Sequence, residues 1–263
     1  MRFCVLGSGS KGNCTYVASE KTAVLIDAGF SGVEVERRLS GIGVDISRIA
    51  AILLTHEHGD HVKGVSVLSR RHGIMVYANQ QTRDAAGTLL QNLHEFTSFS
   101  TGKSFHINDL EVHPFAVSHD TVDPVGFTIS DERARMGYCT DTGMVSKLIH
   151  HHLSSCHGLV LECNHDLEML RNGHYPVHVQ QRVRSKKGHL ANPQAVEFIK
   201  ELYNDGLEHV VLAHISDSNN SADIIRRIVA ELLRELGDLA AEKKLLQISL
   251  SFQNQAGAMV LLK

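Results

Sequence analysis

Short apolar runs punctuate the chain, and most of them end abruptly at a glycine, an aspartate or a histidine. Residues 2–6, 14–18 and 22–26 are β-prone and predict opening antiparallel strands, with a Gly/Ser-rich turn over 7–13. Ser31 predicts the cap of a helix that reaches about residue 39 and stops at Gly41, and the wholly apolar run 50–54 predicts a buried strand. Helical spacing over 62–71, a strand over 74–77, a polar helix over 80–93, short strands within 96–105 and an alternating strand over 110–117 follow. The turn at 123–127 leads into another strand, and 135–139 forms the next.

Helix and strand then recur: 144–151 reads as helical, 158–163 as extended, and 166–170 and 177–185 as helical. Residues 193–203 predict a helix with Asn192 as N-cap and Pro193 in its first position. A strand over 209–213 precedes a helix over 221–236, amphipathic through Ile224, Ile225, Ile228, Leu232 and Leu233, and strands over 246–252 and 258–262 close the chain. Strands then helices, twice over, predict an α+β fold in which two sheets pack face to face with helices outside. We read 1–263 as one domain made of two pseudo-repeated halves, roughly 1–135 and 136–263, long enough to bury a large core.

Composition narrows the classes. The five cysteines are odd in number and lack C-x-x-C spacing, which argues against a disulfide framework or a thiolate zinc site and for buried thiols. No apolar run approaches the ~18 residues of a membrane span, and the opening stretch breaks at Gly7, so the expectation is a cytoplasmic protein without a membrane partner. A net charge of −3 argues against a general polyanion-binding surface. One local exception is the basic run 180–187 with Arg182, Arg184, Lys186 and Lys187, which reads equally as a solvated helix face or as a phosphate-binding segment. The 7–13 turn lacks the G-K-[ST] ending of a phosphate loop.

The chemistry concentrates directly after the 50–54 run. His56, His58, Asp60 and His61 lie within six residues, where a buried strand emerges into a loop. In an extended segment His56 and His58 point to the same side and can grip one ion, while Asp60 and His61 lie past the turn at Gly59 and can reach a second. Three imidazoles and a carboxylate at one strand end are electrostatically awkward without a shared cation. His119, beyond another strand end, offers the first ion a third histidine; Asp141 and His214 follow two more strands. The tract His150, His151 and His152 cannot converge on one ion, because consecutive helical residues point apart; it reads as a solvated helix end. A nucleophilic Cys139 finds no Cys/His pairing motif nearby.

The H-x-H-x-D-H pattern resembles the metal-binding motif of the metallo-β-lactamase superfamily, and the resemblance extends over the whole chain. It implies the four-layer αββα sandwich of that fold. By the same analogy His56, His58 and His119 hold one ion, Asp60, His61 and His214 hold the other, and Asp141 bridges them. Asp27, otherwise read as a turn former, supports the histidines from behind, and Asp60 shares in catalysis. Two such ions, zinc or manganese, acidify a shared water and stabilise the entering and leaving oxygens of an in-line displacement. Histidine at position 58 separates the chain from diiron flavoprotein relatives, which carry an acid there.

Three further stretches resemble the WalJ (YycJ) family of bacterial 5′→3′ exonucleases: residues 7–13, residues 117–120 with 123–126, and residues 164–166 through 188–190. The tail 214–220, with Asn219 and Asn220, resembles it as well, while Ala191 stands where that family would have serine. His189 occupies a place like that of a histidine which, in tRNA 3′ processing endonucleases of this fold, protonates the leaving oxygen. Asp141 and His214 are 73 positions apart (214 − 141), too few for the inserted cap domain of the β-CASP nucleases. The resemblance implies a metal-dependent phosphodiesterase, foremost a 5′→3′ DNA exonuclease, with Arg182, Arg184, Lys186, Lys187, Asn219 and Asn220 contacting the nucleic acid. The other readings are a hydrolase of carboxylic esters, thioesters or lactones at the same ions, and a metal-binding regulatory protein without turnover.

Overall fold

The computed structural model describes residues 1–204, 206–239 and 246–263, without the side chains of 238 and 239. Its architecture follows from strands that are apolar on both faces. In β1 (Arg2–Gly7), Phe3 and Val5 turn one way and Cys4 and Leu6 the other, and all four are buried, so the strand needs cover on both sides. The pattern recurs in β3 (Ala23–Ile26), where Val24 and Ile26 oppose Ala23 and Leu25.

The first sheet contains β1, β2 (Cys14–Ala18), β3, β4 (Ile49–Leu53), β5 (Met75–Asn79), β6 (Glu95–Phe99) and β14 (Val260–Leu261), in the order β14-β1-β2-β3-β4-β5-β6. The second contains β7 (Phe105–Ile107), β8 (Leu110–Ala116), β9 (Val125–Ser130), β10 (Arg135–Cys139), β11 (Gly158–Glu162), β12 (His209–Ala213) and β13 (Gln247–Leu250), in the order β13-β12-β11-β10-β9-β8-β7. Between them Phe3, Val5, Val24 and Ile26 meet Val112, Phe127, Val160 and Val211 in one cluster. Outside the first sheet, Leu6, Leu25 and Ile52 pack on Val35 and Leu39 of α1 (Gly32–Gly41) and Leu68 of α3 (Val65–His72). Outside the second, Leu159, Leu161 and Leu212 pack on α5 (Lys147–Leu153), α8 (Asn192–Leu202) and α9 (Ala222–Leu239). These are the four layers expected, each fully buried aliphatic or aromatic side chain contributing about 1.5–3 kcal/mol.

Within each sheet, antiparallel pairing gives way to parallel pairing. Strands β3 to β6 are parallel, as are β10 to β13, so neighbouring strands in each group end at the same rim. That rim collects the residues following β3, β4, β10, β11 and β12, the place where open parallel sheets leave room for chemistry.

Several expected boundaries move. The region 62–71 does not begin the helix: α2 (Gly59–Val62) already contains Asp60 and His61, and α3 follows. The expected helix 80–93 is α4 (Gln80–Ala86) plus a 3₁₀ turn, parted at Gly87 with φ 51°, a conformation suited to glycine. The two strands within 96–105 belong to different sheets; the sheet boundary therefore precedes the expected division near residue 135. Ala191, not Asn192, caps α8, because Asn192 is buried and its amide exchanges hydrogen bonds with Asn220.

Candidate metal centre

Three residues at the rim hold a left-handed backbone that non-glycine residues rarely adopt: Asp27 (φ 59°), Asp141 (φ 55°) and His214 (φ 52°). Asp27 and His214 directly follow β3 and β12, and Asp141 follows β10 after Thr140; each such residue costs of order 1–3 kcal/mol, which the surrounding bonds must over-determine. Those bonds explain the geometry. Asp27 accepts from the Thr55 backbone N–H (2.9 Å), the Thr55 hydroxyl (2.9 Å) and His61 Nδ1 (2.8 Å). With its proton given to Asp27, Thr55 Oγ1 accepts from His56 Nδ1 at 2.9 Å. His119 Nδ1 donates to the Gly188 carbonyl (3.2 Å), and His214 Nδ1 donates to Glu162 (2.9 Å).

Four imidazoles thus keep their proton on Nδ1 and turn the Nε2 lone pair inward, the arrangement in which an outer acceptor orients a metal-ligating histidine. His58, half-buried, joins His56 and His119 in one group whose ligand atoms lie within 4.8 Å of one another; Asp60, His61 and His214 form a second such group. Asp141 lies between them, with Oδ2 3.5 Å from His61 Nε2 and Oδ1 3.5 Å from His214 Nε2 and 3.9 Å from His119 Nε2. His56 Nε2, His214 Nε2 and Asp141 Oδ2 are buried without a hydrogen-bond partner. Orphaned buried acceptors cost about 1–3 kcal/mol each, so a divalent cation among them fits this donor set.

Without an ion, the acids of the site draw protons onto two of these histidines, positive charge that a bound cation would replace. Burial drives His56 well below the usual histidine range, helped by neighbouring His61. Burial opposes charge on His61 too, but Asp27 and Asp141 together hold it up at about 10; at His214 burial is likewise outweighed by Asp141 and Glu162, which raise it to about 9. Burial opposes ionisation of Asp141, yet the histidines around it, His214 foremost, keep it well below the carboxylate range.

Glu162, at the end of β11, escaped the sequence reading. Its carboxylate is wholly buried and accepts from His189 Nδ1 (2.8 Å), His214 Nδ1 (2.9 Å) and the backbone N–H groups of Thr142 (2.9 Å) and Leu190 (3.1 Å). Burial works against its charge, but His189 and His214 hold it at about 2. The available signal was a lone acid closing the apolar run Gly158, Leu159, Val160 and Leu161, matching Asp27 at the end of β3.

His189 is one-fifth exposed beside this cluster, with Nδ1 3.8 Å from Asp141. Asp60 is partly exposed. Arg182, in α7 (Val177–Val183), pairs with an acid, Asp120, at 3.1 Å, and Asp120 also faces His119 Nε2 at 3.3 Å. Arg184, Lys186 and Lys187 are exposed on the segment leading to His189. Asn219 and Asn220 correct the expectation of substrate contact, since both are buried. Asn220 uses its amide on the Cys163 and Asn164 carbonyls and on Asn192, while the Asn219 carbonyl accepts from Asp166 N–H. Cys139 is buried with its thiol driven far above its ordinary value by burial, which removes it as a nucleophile. His152 also departs from the solvated reading: its ring stacks on Phe115.

Comparison with known proteins agrees with this geometry. Residues 22–215 match the family model described as a β-lactamase superfamily domain. The chain is 37% identical over 239 residues to "Exodeoxyribonuclease YycJ" of Bacillus anthracis, covering 90% of each, and 33% identical to "Exodeoxyribonuclease WalJ" of Streptococcus pneumoniae, covering 89% of this chain and 88% of that protein. Among solved structures, the metallo-β-lactamase fold protein YhfI from Bacillus subtilis superposes with a TM-score of 0.74 at 15% identity, over 98% of this chain and 99% of the other. The short form of human tRNase Z does so with 0.66 at 16%, over 99% and 100%. These two likenesses concern the fold alone. A β-lactamase superfamily match across most of the length, joined to close similarity over nine-tenths of the YycJ and WalJ proteins, makes this chain a member of the metallo-β-lactamase superfamily of hydrolases, in the family of YycJ and WalJ.

Proposed function

We propose that the protein is a 5′→3′ DNA exonuclease working with two divalent ions, zinc or manganese, in the cytoplasm. The observation that carries this reading is the set of buried, unpartnered atoms His56 Nε2, His214 Nε2 and Asp141 Oδ2 inside a ring of histidines whose outer nitrogens are tied back. His56, His58 and His119 would hold one ion, Asp60, His61 and His214 the other, and Asp141 both, with Asp27 fixing His61. When bound, the ions supply Lewis acidity toward a phosphoryl oxygen and acidify the attacking water. Imidazole and carboxylate donors suit either metal.

His189 acts as the proton donor to the departing oxygen. Its Nδ1 is engaged by Glu162, so Nε2 is the atom that carries a proton to the substrate, and the buried carboxylate orients the ring. Arg184, Lys186 and Lys187 contact phosphates by charge, whereas Arg182 reaches the substrate from its pair with Asp120. The names of the YycJ and WalJ relatives support DNA as substrate, and five free, buried cysteines suit a reducing compartment.

The test is a panel of DNA and RNA, single-stranded and duplex, labelled at either end, incubated with manganese, zinc or magnesium beside a thioester and a lactone. Metal-dependent release of nucleotides from the 5′ end of DNA is expected. Turnover confined to the thioester or lactone refutes the nuclease reading.

A further inference from the structure

The segment 7–13 reaches the metal centre without carrying a predicted ligand. Ser8 and Asn13 are both buried there, and their side chains are joined: Ser8 Oγ donates to Asn13 Oδ1 at 2.8 Å. At one end of this pair, Ser8 Oγ accepts from the backbone N–H of His214 at 2.9 Å. At the other end, Asn13 Nδ2 stands 3.4 Å from Asp60 Oδ2; it also lies 3.0 Å from His61 Nε2, the one lone pair His61 has for an ion, so its support is for Asp60. The orientation of the Asn13 amide is settled by its neighbours, because Oδ1 also accepts from Gly9 N–H at 3.0 Å and only the NH₂ can face the ligands.

We infer that Ser8 and Asn13 are positioning residues for the second metal position, a buried crossbar that sets the distance between His214 on one side and Asp60 on the other. This rests on the dinuclear reading above. Asp60 and His61 follow β4 of the first sheet, whereas His214 follows β12 of the second, so no strand pairing fixes their separation. His214 also holds a left-handed backbone, and the Ser8 hydroxyl secures its N–H there. The first group is served differently: among the described residues neither Ser8 nor Asn13 hydrogen-bonds to His56, His58 or His119, and the expected effect is selective.

The segment is itself braced. Gln253, between β13 and β14, accepts from Lys11 N–H (2.8 Å) and donates to the Gly12 carbonyl (2.9 Å), and Asn13 N–H donates to the Asp60 carbonyl (2.8 Å). Gly29 completes the contact, since a Cβ there would run into the Asp60 carbonyl. A braced loop with one side chain on the His214 backbone and another on the Asp60 carboxylate, ligands that follow strands of different sheets, is what an outer support of a metal site requires.

The experiment is zinc uptake by the metal-free protein, followed by competition with a chromophoric chelator, for the wild type, Ser8→Ala, Ser8→Thr, Asn13→Ala and the Ser8→Ala/Asn13→Ala pair. The second equivalent should weaken by about 10- to 100-fold in Ser8→Ala and Asn13→Ala. The first should keep its affinity, Ser8→Thr should bind like the wild type, and the double variant should be little worse than either single. Should Asn13→Ala fail to fold, the Ser8→Ala and Ser8→Thr pair decides. Equal weakening of both equivalents, or an unchanged second equivalent, overturns the crossbar. Uptake of one equivalent by the wild type overturns the dinuclear reading and this inference with it.

Discussion

Replacing Glu162 by glutamine probes the site from within, because the volume is kept and only the charged double acceptor is lost. In the native chain Oε2 serves Thr142 N–H and Leu190 N–H, and Oε1 serves Nδ1 of His189 and of His214. A glutamine carbonyl can serve only one of these pairs. If it turns to the imidazoles, two buried backbone N–H groups face an NH₂ and lose their acceptor, at about 1–3 kcal/mol each, or about 2–6 kcal/mol together. If it turns to the backbone, the NH₂ faces both Nδ1 atoms. Each imidazole then moves its proton to Nε2, which an imidazole can do and an amide N–H cannot, so this arrangement is favoured.

The cost then falls on function. With its proton on Nε2, His214 presents no lone pair to the proposed second metal position, and His189 loses the acceptor that orients its ring. Glu162→Gln should remain folded, bind the second zinc equivalent about 10- to 100-fold more weakly, and release nucleotides from end-labelled DNA about 10²- to 10⁴-fold more slowly. Raising the metal concentration should restore occupancy but not the full rate. Chelator competition, urea unfolding of the metal-free protein and initial rates measure the three quantities. A Glu162→Gln protein with undiminished second-site affinity and wild-type rate would refute the tautomer argument.

His189→Ala should slow a natural phosphodiester by about 10²- to 10⁴-fold without loss of metal, and the defect should shrink on a p-nitrophenyl ester; an equal loss on both substrates removes the proton-donor role. Alanine at Arg184, Lys186 and Lys187, leaving the Arg182–Asp120 pair in place, should weaken DNA binding and flatten its salt dependence by about 0.7–0.9 log unit per phosphate contact, read from affinity at several ionic strengths; an unchanged slope makes the segment a solvated face. Ala191→Ser should complete a capping box in which Gln194 Oε1 already accepts from the Ala191 N–H, adding about 1 kcal/mol in urea unfolding; no gain contradicts the cap assignment. Burial beside His113, His151 and Arg135 lowers His152 to about 4, against 6.5 in an unfolded chain. Between those values the unfolded state binds the extra proton, so its contribution is complete above 6.5 and is lost on acidification, by about 1 kcal/mol at pH 5 after screening. His152→Phe should lose less stability than the wild type between pH 7.5 and 5, and equal losses would dismiss this group as the cause.

The sequence by itself determined the layers and the predicted metal ligands. Apolar runs too short for helices and buried on both faces required two covered sheets, and His56, His58, Asp60 and His61 announced a site because four donors crowd one strand end within reach of local geometry. What lies between strand ends was decided only by the tertiary structure. Glu162 gains its role from His189 and His214, 27 and 52 positions away, and Arg182 finds Asp120 across 62. Asn220 matches a family pattern yet is consumed in joining Cys163, Asn164 and Asn192. The left-handed turns at Asp27, Asp141 and His214 fall on residue types that tolerate that backbone better than most, but Asp and His are common elsewhere in the chain, so type alone does not mark them. Periodicity reports which face of an element meets the core, whereas the partner of a buried polar atom depends on which distant segment the packed sheets bring against it.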